Sequence, residues 1–234
     1  MRHRLRLFFD RARARESLRR QRSEDPEWHR QAVGGLWEEM GRLQFEFLVE
    51  QGLRPDHRLL DVGCGSLRGG IHFIRYLEPG RYVGIDRSQE LLLAGRDELR
   101  QAGLEEKRPE LVQMEDFGLS RLGGRFDMGL AQSVFTHLPL NGVIRCLMAV
   151  DEVLEPGGRF FATFFENPDG KRHVEPIRHP TVTGEALITY FDRDPYHYDV
   201  DTFRWICRGT RLEVSVVGEW GHPRDQRMLI FRAG

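Results

Sequence analysis

Hydrophobic and polar positions change rhythm several times along the chain. Over residues 23–52, Trp37, Met40, Leu43, Phe45, Phe47 and Leu48 recur at mostly helical spacing. Ser23-Glu24-Asp25-Pro26 predicts a helix start and Gly52 a C-terminal cap. Beyond residue 57, short apolar runs alternate with longer amphipathic ones. "HRLLDVG", "RYVGID", "ELVQME", "RFDMGLAQ" and "GRFFATFFE" predict strands. "RGGIHFIRYLE", "SQELLLAGRDELRQAG" and "LNGVIRCLMAVDEVL" predict helices between them, the second beginning with Ser88. Pro79-Gly80 and Pro156-Gly157-Gly158 stop the other two.

Residues 167–198 lose this rhythm. They are rich in Pro, His, Asp and Tyr and too long for a passive connection, which predicts a substrate lid. "VDTFRWICRG" predicts a helix, and "RLEVSVVGEW" and "QRMLIFRA" predict two last strands. Only residues 221–225 separate those strands, room for a hairpin and not for a parallel crossover. The whole pattern predicts an α/β fold: a seven-stranded, mostly parallel sheet, helices on both faces, and an antiparallel C-terminal hairpin strand. The expected organisation is a basic arm or helix over residues 1–22 and a single domain over residues 23–234. Within that domain, residues 23–52 form a helical cover and residues 167–198 the lid.

Composition changes this picture in one respect. The formal net charge is −1 over 234 residues, which implies no general field for nucleic acid or membranes. Residues 1–22, however, carry nine arginines against Asp10 and Glu16, a net +7, so the remainder sums to −8. The arm is therefore a candidate surface for an acidic partner. Cys64, Cys146 and Cys207 form no C-x-x-C pair, so a disulfide framework or zinc site is not expected and a reduced, cytoplasmic setting is. No apolar run approaches the roughly 18 residues of a membrane span, and the N-terminal stretch does not read as a secretory signal.

Candidate chemistry begins in "LLDVGCGSLRGG", residues 59–70, between a strand and a helix. A dinucleotide loop, G-x-G-x-x-G, needs glycine at position 68, where this chain has Arg68. No Lys follows the glycines as a P-loop requires, which disfavours nucleoside triphosphate hydrolysis. What remains is an acid and D-x-G-x-G-x-x-x-G spacing.

Asp61-Val62-Gly63-Cys64-Gly65 resembles motif I of the class I S-adenosylmethionine-dependent methyltransferases, and the resemblance extends over roughly residues 55–165. It implies a glycine loop under the methionine part of S-adenosylmethionine, where Gly63, Cys64 and Gly65 allow close backbone approach and the following helix start favours the carboxylate. It implies that Asp61 orients the loop or meets the ammonium group, and that Asp86, ending the second strand, accepts hydrogen bonds from the ribose. Asp116 and Phe117 then stand where the family often holds adenine. Gln132 and Ser133, in "AQSVFTHLP", stand near the methyl group. That stretch lacks the [NDS]-P-P-[YF] sequence of amino-directed nucleic-acid enzymes, the Pro-Cys nucleophile of cytosine C5 enzymes, and the metal-binding aspartates of catechol-type enzymes. No metal is expected, and nucleic acid is disfavoured as an acceptor.

A small-molecule acceptor with a reactive oxygen or nitrogen is the leading expectation. A protein or RNA acceptor served by the arginine arm, or cofactor binding without catalysis, are the alternatives. In open α/β sheets the ligand edge lies beyond the carboxyl ends of the parallel strands. His137, His197 and His222 all fall on segments leaving that edge, and each is a candidate base for removing an acceptor proton. Tyr196 and Tyr198 flank His197, while Trp220, Arg224 and Gln226 surround His222. Arg224 or Arg178 suits an anionic acceptor. Trp37, on the N-terminal cover, is a candidate lid over the cofactor.

Overall fold

A computed structural model describes residues 25–168, 174–181, 184 and 186–234. The basic arm at residues 1–22 lies outside them, as do Ser23 and Glu24. Helices α1 (Trp28–Ala32) and α2 (Trp37–Glu50) precede β1 (Leu59–Val62), α3 (Gly70–Tyr76), β2 (Tyr82–Asp86), α4 (Gln89–Gln101) and β3 (Glu110–Gln113). Then follow β4 (Phe126–Ala131), α5 (Leu140–Val153), β5 (Leu154–Glu166), and three short strands, β6 (Ile177–His179), β7 (Leu187–Thr189) and β8 (His197–Tyr198). Helix α6 (Val200–Cys207), β9 (Leu212–Gly218) and β10 (Arg227–Ala233) end the chain.

The main sheet runs β3-β2-β1-β4-β5-β10-β9, with β1 to β5 mutually parallel. The order reverses between β1 and β4, which opens a crevice at their carboxyl ends. The predicted seven strands are all present, and β8 adds two residues of parallel pairing to the end of β5. The chain's last strand is not the sheet's edge. β10 lies between β5 and β9, antiparallel to both. Its apolar residues Met228, Leu229 and Phe231 are fully buried, whereas β9 keeps mostly half-exposed side chains, as an edge strand does.

Period-two alternation assigns the two faces. Leu60, Val62, Val83, Ile85, Phe160 and Phe164 point to the side covered by α5 and α6. Leu59, Tyr82, Met128, Leu130 and Phe161 point to the side covered by α2, α3 and α4. Asp61 therefore shares a face with Leu59 and is carried into the core rather than to solvent.

Two predictions need correction. The N-terminal cover is not one helix: Gly34 and Gly35 adopt positive φ and Leu36 is left-handed, so the chain turns between α1 and α2. Glu98 of α4, a buried carboxylate, holds α1 in place by pairing with Arg30 (2.9 Å) and His29 (3.5 Å). Within residues 167–198, where the sequence showed no rhythm, the described residues include short strands. β6 and β7 form an antiparallel hairpin, and β8 joins the main sheet. Each of these strands spans three residues or fewer, too short to imprint an alternation.

Phe203 of α6 has no exposed surface, stacks on Phe135 at 6.0 Å and meets Phe164 edge-on at 5.1 Å. Phe203→Ala is expected to lower unfolding free energy by about 3–5 kcal/mol, read as a shift of the urea midpoint at unchanged slope.

Candidate active site

The loop after β1 occupies the switch point. Gly63 and Gly65 have φ of +73° and +56°. A Cβ at Gly63 would come within 2.5 Å of Val134 Cγ2, and one at Gly65 within 2.7 Å of Val33 Cγ1. Both glycines are thus required by conformation and by space. The amides of Gly63 and Cys64 donate to the Ile85 carbonyl (2.8 and 3.0 Å), and Gly65 N–H donates to Asp86 Oδ2 (2.9 Å). Helix α3 begins only at Gly70, so the loop, not the helix end, lines the crevice. Cys64 is buried, and Gly84 leaves room for its sulfur.

Asp86 already has two protein donors: Oδ1 accepts from Ser88 N–H at 2.8 Å while Oδ2 holds Gly65. Ser88 in turn caps α4 by accepting from Leu91 N–H at 3.2 Å. Each oxygen of Asp86 keeps a further lone pair for a ribose hydroxyl. Burial raises the pKa of Asp86 against these hydrogen bonds. Asp61 is deeper. Burial lifts its carboxyl to about 6, opposed by the Tyr82 hydroxyl, which donates to Oδ2 at 2.6 Å; nearby Asp86 raises it further and Arg68 lowers it.

The end of β4 is joined to the β9–β10 hairpin. Ser133 Oγ and Thr163 Oγ1 both donate to Gln226 Oε1, at 3.0 and 2.7 Å. Arg224 N–H donates to His222 Nδ1 (3.1 Å), which puts the neutral ring's proton on Nε2, facing the Gln132 amide at 3.0 Å. Gln132 Oε1 is buried with no partner, as are both amide atoms of Asn167 just past β5. Turning the Gln132 amide presents its oxygen to the ring proton. Burial, then Arg68 and Arg224, depress His222 to about 3, so the ring is neutral at every physiological pH and a weak base.

A cavity of about 350 Å³ opens beside this hairpin, lined among others by Thr181, Trp220, His222, Asp225, Gln226 and Arg227. Behind its wall runs a chain of hydrogen bonds. Asp225 Oδ2 faces His179 Nδ1 (3.2 Å), His179 Nε2 faces Thr189 Oγ1 (3.0 Å), and Thr189 Oγ1 faces His197 Nδ1 (3.0 Å). An ionised Asp225 only accepts, so His179 carries its proton on Nδ1, Thr189 donates to His179, and His197 donates to Thr189. His179 is lowered by burial, against the Asp225 hydrogen bond.

The sequence candidates are dispersed among these environments. His222 lines the cavity, while His197 is buried one hydroxyl away from His179. His137 is exposed on the turn after β4 and bonds Asp194 at 2.6 Å. Asp116 is exposed, where it pairs with Arg121 and caps Gly118 (3.1 Å). Phe117, at φ +55°, packs against the core beside it. Arg178 alternates with His179 along β6 and points outward, away from the relay. Trp37 is half-buried under the Arg30 guanidinium, 5.0 Å from the ring centroid. The α1–α2 turn lies on the glycine loop through Val33 and through Ser66 Oγ, which donates to the His29 carbonyl at 3.5 Å. Tyr82, Thr163, His179, Thr189 and Asp225 went unmarked in the sequence, where each reads as an ordinary strand or turn residue, and Arg68 was marked only as the residue that breaks the dinucleotide-loop spacing.

The residues present fit S-adenosylmethionine: a side-chain-free cradle at Gly63 and Gly65, a carboxylate at the end of β2, and an acid beneath the loop. The fold is that of class I, Rossmann-like S-adenosylmethionine-dependent methyltransferases of known structure. Residues 60–160 match the family described as a methyltransferase domain. Demethylmenaquinone methyltransferase of Symbiobacterium thermophilum is 26% identical over 144 residues, 57% of this chain and 51% of that protein. The 24-methylenesterol C-methyltransferase 2 of Oryza sativa subsp. japonica is 32% identical over 140 residues, 57% of this chain and 37% of that protein. The chain thus spans about half or less of the length of these curated relatives. The crystal structure of magnesium protoporphyrin IX methyltransferase from Synechocystis PCC 6803 with bound S-adenosylmethionine shares the fold, with TM-score 0.59 and 15% identity over 84% of this chain and 79% of that one. Among the described residues there is no group of three or more potential metal ligands, and no helix long and apolar enough to cross a membrane.

Three outcomes are expected here. Gly65→Val is expected to abolish S-adenosylhomocysteine binding in calorimetry, because it adds a clash with Val33 to a left-handed backbone. Affinity for the same ligand is expected to rise with pH through about 6, as Asp61 ionises and offers its charge to the ligand ammonium. Folding stability is expected to respond oppositely. The raised pKa means the native state binds this proton more tightly than the unfolded chain, so its contribution is present in acid and is lost as pH climbs through about 6. Calorimetric titrations and urea melts across that range read the two slopes.

Proposed function

We propose that the protein transfers a methyl group from S-adenosylmethionine to an oxygen or nitrogen of a small molecule seated in the cavity beside the β9–β10 hairpin. The carrying observation is continuity. His222 and Gln226 line a cavity of about 350 Å³ and also hydrogen-bond Gln132 and Ser133 at the end of β4, where the family places the methyl group. That volume suits a small ligand. The residues outside the arginine arm sum to −8, which opposes a polyanionic acceptor.

When bound, S-adenosylmethionine supplies an electrophilic methyl group. The chain's part is to hold the donor on the Gly63–Gly65 loop and Asp86, to seat the acceptor against Trp220, and to take its proton. In this reading Asp225 is the proton acceptor facing the cavity. His179, Thr189 and His197 orient it from behind, so His197 acts through the relay. His222, weakly basic, serves as a neutral hydrogen-bonding wall.

Labelled methyl transfer from S-adenosylmethionine to separated small-molecule, protein and RNA fractions tests the acceptor class. Label in the small-molecule fraction is the expected result. Label confined to protein or RNA, or none at all with donor bound, overturns the reading. NMR of the product separates methyl on oxygen or nitrogen from methyl on carbon, the acceptor atom in the rice relative's name. With the acceptor in hand, Asp225→Asn is expected to lower kcat by about 10²–10⁴-fold, with donor affinity unchanged in calorimetry.

A further inference from the structure

Two arginines without an acidic partner converge beside the glycine loop. Arg68, 8% exposed, donates through Nη1 to the carbonyls of Val33 (2.7 Å) and Gly35 (2.9 Å). Arg224, from the β9–β10 hairpin, donates through Nη2 to the carbonyl between them, Gly34, at 2.6 Å. A Cβ at Gly34 would lie 2.9 Å from Arg224 Nη1 and 3.7 Å from Arg68 Nη1, so both guanidinium tips crowd one glycine.

This arrangement is electrostatically incomplete. Arg30, Arg121 and Arg227 each rest on a carboxylate, whereas neither Arg68 nor Arg224 has an ion pair among the described residues. Burial and the neighbouring Arg224 charge press Arg68 down to about 10. The nearest offsetting acid, Asp61, is engaged by Tyr82. His222 beside the pair is neutral. The three carbonyls occupy only three of the roughly ten N–H donors that two guanidiniums carry, and none of the others is among the buried polar atoms left without a partner. A half-buried pair of like charges with open donors is relieved by an anion, and the guanidinium fork matches a carboxylate.

We infer that Arg68 and Arg224 form an anion site that takes a carboxylate where the glycine loop meets the acceptor cavity. Arg68 borders the donor loop, and Arg224 neighbours His222 and Asp225 of the cavity wall. Two sources share this chemistry: the methionine carboxylate of the donor, and an acidic group on the acceptor. The first source rests on S-adenosylmethionine binding at the glycine loop, and the second rests on the acceptor reading above.

Calorimetry with S-adenosylhomocysteine and with 5′-methylthioadenosine, which lacks the amino-acid carboxylate, separates the sources in wild type, Arg224→Gln and Arg68→Lys. Weakening of S-adenosylhomocysteine by about tenfold or more, with 5′-methylthioadenosine unchanged, assigns the site to the donor carboxylate. Unchanged S-adenosylhomocysteine affinity, together with a malonate-induced rise in Tm of the wild-type complex that the variants lose, assigns it to an acidic acceptor. The inference is overturned if the variants weaken both nucleosides equally, since the arginines then only pin the turn. It is equally overturned if neither affinity nor the malonate response changes. Arg68→Lys keeps the charge and removes the fork, so it decides the matter should Arg224→Gln fail to fold.

Discussion

The carboxylate of Asp86 stands where three pieces of chain meet. One oxygen holds the Gly65 amide and the other holds the Ser88 amide, so a single side chain couples the glycine loop, the end of β2 and the cap of α4. Gly63 and Gly65 have no side chains to fix them, and both have left-handed backbones. Without an acceptor at this point the Gly65 amide would face the crevice unpaired. The same carboxylate is the one that the family turns toward the ribose. If this chain uses it in the same way, structural and ligand-binding demands fall on one residue; its burial raises its pKa despite both hydrogen bonds.

Burial also sorts the remaining ionisable groups by their place in the crevice. Beneath the loop lies an acid lifted toward neutrality and steadied by a tyrosine. At the junction with the cavity lie two arginines held by carbonyl oxygens rather than carboxylates. Along the cavity wall the imidazoles of His222 and His179 are neutral because water is excluded and, for His222, because cations crowd it. Charge changes from negative to positive to neutral across three adjoining elements, an order suited to a zwitterionic donor on one side and an uncharged or acidic acceptor on the other.

Much of the fold was legible in the residues because strands and helices leave short-range periodicities. Seven strands, their mostly parallel sense and the final hairpin followed from alternation, from glycine-proline stops and from a gap of a few residues. Asp61, Gly63, Gly65 and Asp86 were legible because a tight β-α turn and a strand-ending acid are local features. The turn at Gly34 and Gly35 was not, since the apolar spacing continues across it. The strands β6, β7 and β8 were too short to show a period. Position 116 illustrates a different limit. An acid after the third strand can meet a ligand or cap its own turn, and here it bonds Gly118 and Arg121, two and five residues away.

The sequence by itself determined the α/β class and the glycine loop, and with it the resemblance that points to the donor, because these rest on residues within a few positions of one another. Tertiary structure alone decided which histidine lines the cavity and which is buried, that Asp225 backs onto His179, and that Arg68 meets Arg224 over a distant turn. The physical reason is distance along the chain. A hydrogen bond between residues 132 and 222, or 179 and 225, leaves no trace in local pattern and exists only once the fold has brought β4, the β6–β7 hairpin and the last hairpin together.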